Sequence, residues 1–271
     1  MNKMLTFFTA PVAAIFYPPV YEDAAKSSGA RGVLYSLYLA GISVVLVMIF
    51  LSAKVMPQAD AFAEWTKANV PVLIWTPAGL GLENGQTTAS LVHPQYGTIA
   101  LFDMTKTAVT EEEMGKAYIF VTSQKVFLKR APGQIEQRDV TGAGMRSREQ
   151  LPPRVRIDGD IVMKMYQNIK KGMALVVPLL ILVTSFIFLL AANLFYSLAG
   201  LLFNFMRTEK LGYGAIFNLT CFATSVTFTL TWIRTLIPFQ ALPFPFTLNI
   251  LLNLVFMFFA FKITDKKKET V

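Results

Sequence analysis

Residues 174–204 read ALVVPLLILVTSFIFLLAANLFYSLAGLLFN and contain no Asp, Glu, Lys or Arg. A bilayer's hydrocarbon core is about 30 Å thick, and a helix of ~20 apolar residues crosses it. These 31 residues would extend about 46 Å at 1.5 Å per residue, so such a helix must tilt, project beyond the lipid or bend. Ala191-Ala192-Asn193 is the candidate weak point. Three more stretches are uncharged: Val33–Ala53, Leu211–Ile233 and Thr235–Phe261, of 21, 23 and 27 residues. In the last, Pro238, Pro243 and Pro245 disfavour a helix interior. The span is therefore expected to start near Pro245, after a short interfacial turn at Ile237–Phe244.

The composition of the whole chain agrees. It has 271 residues, 54% hydrophobic and 15% charged, against ~25% charged in soluble domains. Its apolar and aromatic content excludes a disordered chain. Its single cysteine, Cys221, excludes a disulfide scaffold. Too few charges remain to cover an ordinary soluble enzyme.

The uncharged stretches predict a membrane protein with four transmembrane α-helices, at 33–55, 173–204, 211–234 and 245–263. Residues 1–32 read as a cytoplasmic, interfacial segment. They are apolar and aromatic, but Pro11, Pro18 and Pro19 interrupt them. Residues 264–271 form a basic tail containing Lys266-Lys267-Lys268. The first span lies too far from the start to read as a cleavable signal. Lys and Arg mark the cytoplasmic side of short loops. Lys3, Lys26, Arg31, Arg207, Lys210, Lys262 and the tail fall on one side, and Arg234 on the other. Both termini are expected in the cytoplasm, with the long insert 56–172 on the other side of the membrane.

From Val55 to Gly172 the insert holds 14 basic and 12 acidic residues, a net of +2. The chain's net +8 therefore sits mainly at the cytoplasmic membrane face, and nothing marks a nucleic-acid surface. Met56–Asn69 reads as a helix with Ala61, Phe62, Trp65 and Ala68 on one face. Strands are expected at Val70–Trp75, Thr98–Phe102, Tyr118–Thr122, Lys125–Lys129 and Ile135–Val140. Asn84-Gly85 is a hairpin signal, and Ser123-Gln124 a two-residue turn. Thr110 followed by Glu113 is a capping box. Asp158–Lys171 reads as a helix leading into the membrane. The insert is thus expected to be an α+β extracytoplasmic domain, with a small antiparallel sheet, between helices 1 and 2.

Several of these features together resemble the DUF1189 family of bacterial membrane proteins. They are Phe16-Tyr17-Pro18-Pro19, Val70-Pro71 with Glu83-Asn84-Gly85, Phe102-Asp103-Met104-Thr105, the segment YIFVTSQKVFLKR and the three clustered C-terminal spans. The family's tighter Asp-Thr pair is spaced by Met104 here. The C-terminal helices are also similar, more weakly, to Yip1-type bundles. The resemblance implies an architecture and a bacterial plasma membrane, and no reaction.

No metal or cofactor is expected. There is one histidine, His93, read as a surface loop residue, and no H-E-x-x-H. No G-x-S-x-G, P-loop or G-x-G-x-x-G occurs. The insert offers Asp103, Asp158 and Asp160 as candidates. Asp158-Gly159-Asp160 can hold a cation or start a helix. The spans carry a stronger polar signal. Thr220, Thr224, Thr227, Thr231 and Arg234 share one helical face, as do Asn193, Ser197, Gly200 and Asn204. Asn249 and Asn253 lie one turn apart. Such residues glue membrane helices together or line a polar crevice.

Three roles follow. The first is a non-enzymatic membrane module whose outer domain binds or senses a partner or envelope component. The second is a transporter or permease-associated subunit with a polar crevice between helices 2, 3 and 4. The third, ranked last, is an enzyme using Asp103, Asp158, Asp160 and Arg234. The partners implied are the lipid bilayer and a membrane protein or transporter component, with a homo-oligomer also compatible.

Overall fold

The computed structural model describes residues 3–83, 85–131, 133–141, 154–236 and 246–265. The chain forms two compact units, Met56–Gly172 and the remainder on either side of it. The expected turns at Asn84 and Ile237–Phe244 and the run Lys266–Lys268 lie outside the described residues.

The flanking unit is helical. It contains α1 (Lys3–Phe16), α2 (Pro19–Ala25), α3 (Gly29–Phe50), α7 (Tyr213–Leu236), α8 (Phe246–Ile263) and part of α6 (Gly159–Phe205). A π-helical turn, Leu51–Val55, follows α3. Among the described residues, three helical runs are long and apolar enough to cross a membrane: Gly29–Asn69, Gly159–Phe205 and Tyr213–Thr235. The shorter apolar stretch Thr247–Ile263 would reach about 26 Å, just under a bilayer core. The expected weak point at Asn193 is absent. α6 runs 47 residues without interruption, and Pro178 lies inside it.

The N-terminal segment departs from expectation. Pro11 sits inside α1 rather than breaking it. Both short helices pack on α7, with Ala10, Ala14, Val20 and Ala24 almost wholly buried. The reason is aromatic and polar anchoring. Phe7 meets Tyr35 and Phe222 edge-on, and Thr229 Oγ1 donates to Pro11 O. Asn218 Nδ2 donates to Ala24 O at the end of α2. Tyr35 stacks on Phe222 at 4.0 Å, joining α3 to α7.

The inserted unit contains α4 (Met56–Asn69), β1 (Leu73–Thr76), β2 (Gly79–Leu82), β3 (Thr88–His93), β4 (Gly97–Asp103), α5 (Glu111–Met114), β5 (Ile119–Val121), β6 (Lys125–Ala131), β7 (Gln134–Asp139), β8 (Val155–Ile157) and the first turns of α6. The sheets correct the sequence reading in two ways. Among the described residues there are two, ordered β2-β1-β8 and β3-β4-β5-β6-β7, and the larger is mixed. Its β4 and β5 run parallel, joined by the segment that carries α5. GLGL at 79–82, for which no strand was expected, is strand β2. The reversal lies one step earlier, where Thr76 pairs with Gly79. Gly79 has φ +141°, and a Cβ there would come within 2.2 Å of Ser123 O. The capping box at Thr110 and Glu113 forms as read.

α4 keeps its expected bounds, but its inward side is Phe62, Ala63, Trp65 and Thr66, while Ala61 and Ala68 are exposed. It runs antiparallel to the first turns of α6. Lys67 pairs with Asp160 at 2.9 Å, and one turn short of the other end Asp60 takes bonds from Tyr166 (2.7 Å) and Lys170 (2.6 and 2.8 Å). Gly159 lets the two backbones meet, since a Cβ there would lie 2.0 Å from Lys67 O. The Lys170 ammonium, then the Tyr166 hydroxyl, hold the Asp60 carboxyl below its usual range. Desolvation, then the Asp60 carboxylate, push the Tyr166 hydroxyl up to about 12.

Candidate functional site

Three loops meet at one end of the five-stranded sheet, where β4 and β5 begin and β6 ends. They enclose an open trough of about 590 Å³, within the roughly 300–1,000 Å³ of ordinary ligand sites. One wall is the β3–β4 turn. His93 Nδ1 accepts the backbone N–H groups of Gln95 (3.1 Å) and Tyr96 (3.3 Å), and Gly97 takes φ +72°. The His93 ring also lies 4.4 Å from Trp65 and 4.6 Å from Tyr96. His93 is therefore half-buried and shapes the turn that presents Tyr96. It is not the surface residue expected.

The second wall follows α5. Gly115 reverses the chain at φ +54°, Ala117 is fully buried and Tyr118 is left exposed. The third is the end of β6, with Lys129 and Arg130. Lys129 Nζ bonds Gly115 O (3.2 Å) and the Glu111 carboxylate (3.1 Å), and so ties the second wall to the third. Arg130 pairs with Glu136. Gly133 N–H and Lys129 hold the Glu111 carboxyl below its usual range. The described residues lining the trough include Lys116, Lys129 and Arg130 and no Asp or Glu, the carboxylates paired with Lys129 and Arg130 lying outside the lining. The trough is a basic, tyrosine-flanked depression.

The helical unit brings many of its predicted polar residues together. Asn193 on α6 is 1% exposed. Its Nδ2 donates to Ser36 Oγ on α3 (3.1 Å), and its Oδ1 accepts from Thr224 Oγ1 on α7 (2.7 Å). A second chain joins α7 to α8. Thr227 Oγ1 donates to Asn253 Oδ1, Asn253 Nδ2 to Asn249 Oδ1 (2.9 Å), and Asn249 Nδ2 to Thr231 Oγ1 (3.4 Å). Ser197 Oγ and Tyr213 OH are 2.9 Å apart. Asn204 bonds both the N–H and the carbonyl of Leu211 across the α6–α7 turn. Thr220 bonds only its own helix, at Ile216 O. Arg234 stands exposed in the last turn of α7. Asn193, Thr224, Thr227, Asn249 and Asn253 thus satisfy one another across helices, as polar groups packed between apolar helices must.

The model of the family described as "Protein of unknown function (DUF1189)" matches residues 8–261. The chain belongs to the DUF1189 family. No curated protein and no solved structure matches it. The family match spans both the trough and the polar seam of this DUF1189 chain.

The predicted carboxylates do not converge. Asp103 accepts the N–H (3.0 Å) and hydroxyl (2.6 Å) of Thr105, closing a turn after β4, and these bonds hold its carboxyl below its usual range. Asp139 does the same with Thr141 after β7. Asp158 accepts the N–H groups of Asp160 and Ile161, so it caps α6, and Asp160 pairs with Lys67. Among the described residues no three His, Cys, Asp or Glu side chains gather as metal ligands.

Sequence reasoning missed two features. One is the small stripe Gly29, Gly32, Ser36, Ala40 and Ser43 on α3. A Cβ at Gly32 would sit 3.1 Å from Cys221 Sγ and from Asn218 Cα. Its spacing of three and four residues was readable. The other is Arg207, taken as a topology charge. It is 7% exposed and donates to Phe261 O, Thr264 Oγ1 and Thr264 O, capping the end of α8. No local pattern signals a partner 54 residues away.

Proposed function

We propose that this chain is a non-enzymatic bacterial inner-membrane protein of four spans, with both termini cytoplasmic and residues 56–172 outside. In this reading the outer domain binds or senses a partner or envelope component, and the helical bundle holds it in the membrane. The observation that carries the reading is the trough bounded by Tyr96, Tyr118, Lys116 and Arg130. Its walls come from three separate loops, and His93, Gly115 and Lys129 hold them in place. The Lys and Arg asymmetry of the short loops supports the orientation. The fourth span rests on α8 and its uncharged lead-in. The seam of Asn193, Thr224, Thr227 and Asn253 supports a holding role for the bundle, because these groups spend their hydrogen bonds on one another. That weighs against a transport crevice.

The test is photo-crosslinking in intact cells, with a benzophenone amino acid at Tyr96, Tyr118 or, as a control, Arg138 on β7. The reading expects one recurring adduct from the first two positions and none from the third. Identical patterns at all three, or no adduct at any, would count against it.

A further inference from the structure

We infer that the trough takes an anionic polymer of the envelope, one with phosphate or carboxylate groups on a polyol or sugar backbone. The inference rests on the binding role proposed above and gives that role a ligand class. Lys116 and Arg130 are both exposed, while Lys129, beside Arg130, is tied to Gly115 O and Glu111. Arg130's pairing with Glu136 is a surface contact, the Arg130 side chain being 65% exposed. Such a contact is weak and exchanges readily for another anion. A guanidinium fork and an ammonium are the usual partners of phosphate and carboxylate oxygens.

The neutral part of the ligand follows from Tyr96 and Tyr118. Each is 56% exposed, although neither ring closes a hydrophobic core. An exposed tyrosine offers a flat apolar face with a polar tip. That combination suits the C–H face of a sugar ring or polyol beside its charged groups. The trough is open and lies at the ends of strands rather than along an edge. An extended peptide adding a strand would need an edge, so the geometry favours a polymer laid across the loops. Electrostatic attraction would also make binding sensitive to salt.

The test uses the full chain reconstituted in nanodiscs, with three soluble probes at low salt: poly(glycerol phosphate), polygalacturonate and poly-glutamate. Poly(glycerol phosphate) or polygalacturonate is expected to bind, and the stronger of the two identifies the anion. The double variant Lys116→Ala/Arg130→Ala should bind at least tenfold more weakly with its thermal melt unchanged, since both residues are exposed. Tyr118→Ala should weaken binding several-fold, and Lys164→Ala, an exposed cation on α6, should leave it unchanged. The inference is overturned if neither polymer binds, if the double variant binds like wild type, or if poly-glutamate binds as tightly as both. If these probes fail while the crosslinking above returns a Tyr118-specific adduct, the binding role stands and only this ligand class falls.

Discussion

Replacing Asn193 with leucine would remove the polar atoms that join α6 to α3 and α7 while keeping the side chain's branching and heavy-atom count. Asn193 makes two interhelical bonds, to Ser36 and from Thr224. Hydrogen bonds between membrane helices average about 0.6 kcal/mol and reach about 1.7. Neither partner would be stranded. Ser36 Oγ also donates to Gly32 O (2.9 Å), and Thr224 Oγ1 to Thr220 O (3.1 Å). The expected loss is therefore about 1–2 kcal/mol, short of the larger cost of an unsatisfied buried group. A double-mutant cycle with Thr224→Val isolates the pair. Measured by reversible unfolding in bicelles, the coupling should be about 0.6–1.7 kcal/mol. Thr184→Val is the control, because Thr184 is exposed and bonds only its own helix at Leu180 O and Ile181 O. Its coupling to Asn193→Leu should be near zero. If Asn193 and Thr224 also fail to couple, or if Asn193→Leu stabilises the protein, the seam does not hold the bundle.

Other perturbations probe the remaining contacts. Gly159→Ala would drive a Cβ into Lys67 O and should cost about 1–3 kcal/mol in a thermal melt, whereas Gly41→Ala meets open space and should be near neutral or slightly stabilising. Arg207→Lys should fail to rescue Arg207→Ala, because an ammonium cannot span Phe261 O and Thr264 O with a planar fork; each variant should cost about 2–3 kcal/mol in unfolding. Asp60→Asn should lower the melting temperature of the inserted unit by a few degrees at pH 7. Asp60 has a depressed carboxyl, so its contribution is fully present above the usual carboxylate value near 4 and fades as pH falls through its lowered one. The gap between wild type and variant should therefore narrow as the pH falls below about 4; a constant gap would show that Asp60 acts by packing alone.

Sequence was most legible where one local signal sufficed. The uncharged runs announce apolar helices through composition alone, and α3, α6 and α7 fall on them. Thr110 with Glu113, and the Ser123-Gln124 turn, are also local, and both form as read. β2, β3 and β8 were missed: GLGL and VRI are too short to show an alternation, and TASLVH mixes small and polar residues. The parallel β4–β5 pairing was missed because it depends on contacts far apart in sequence. Pro11 misled because its cost to α1 is offset by packing on α7, which no local rule includes. At the trough, Tyr96 and Lys116 carry no motif. Only the fold brings their loops to one end of the sheet, and His93 was undervalued because its role is to hold a turn.

The central claim is that residues 56–172 face out of the cell while the α6–α7 connection faces in. Substituted-cysteine labelling tests it directly. Cys221 is fully buried and should stay silent, so single cysteines can be read in the native background. With a membrane-impermeant maleimide, Glu112→Cys should label in intact cells and Glu209→Cys only after permeabilisation. Labelling of Glu209→Cys in intact cells, with Glu112→Cys protected, would contradict the account.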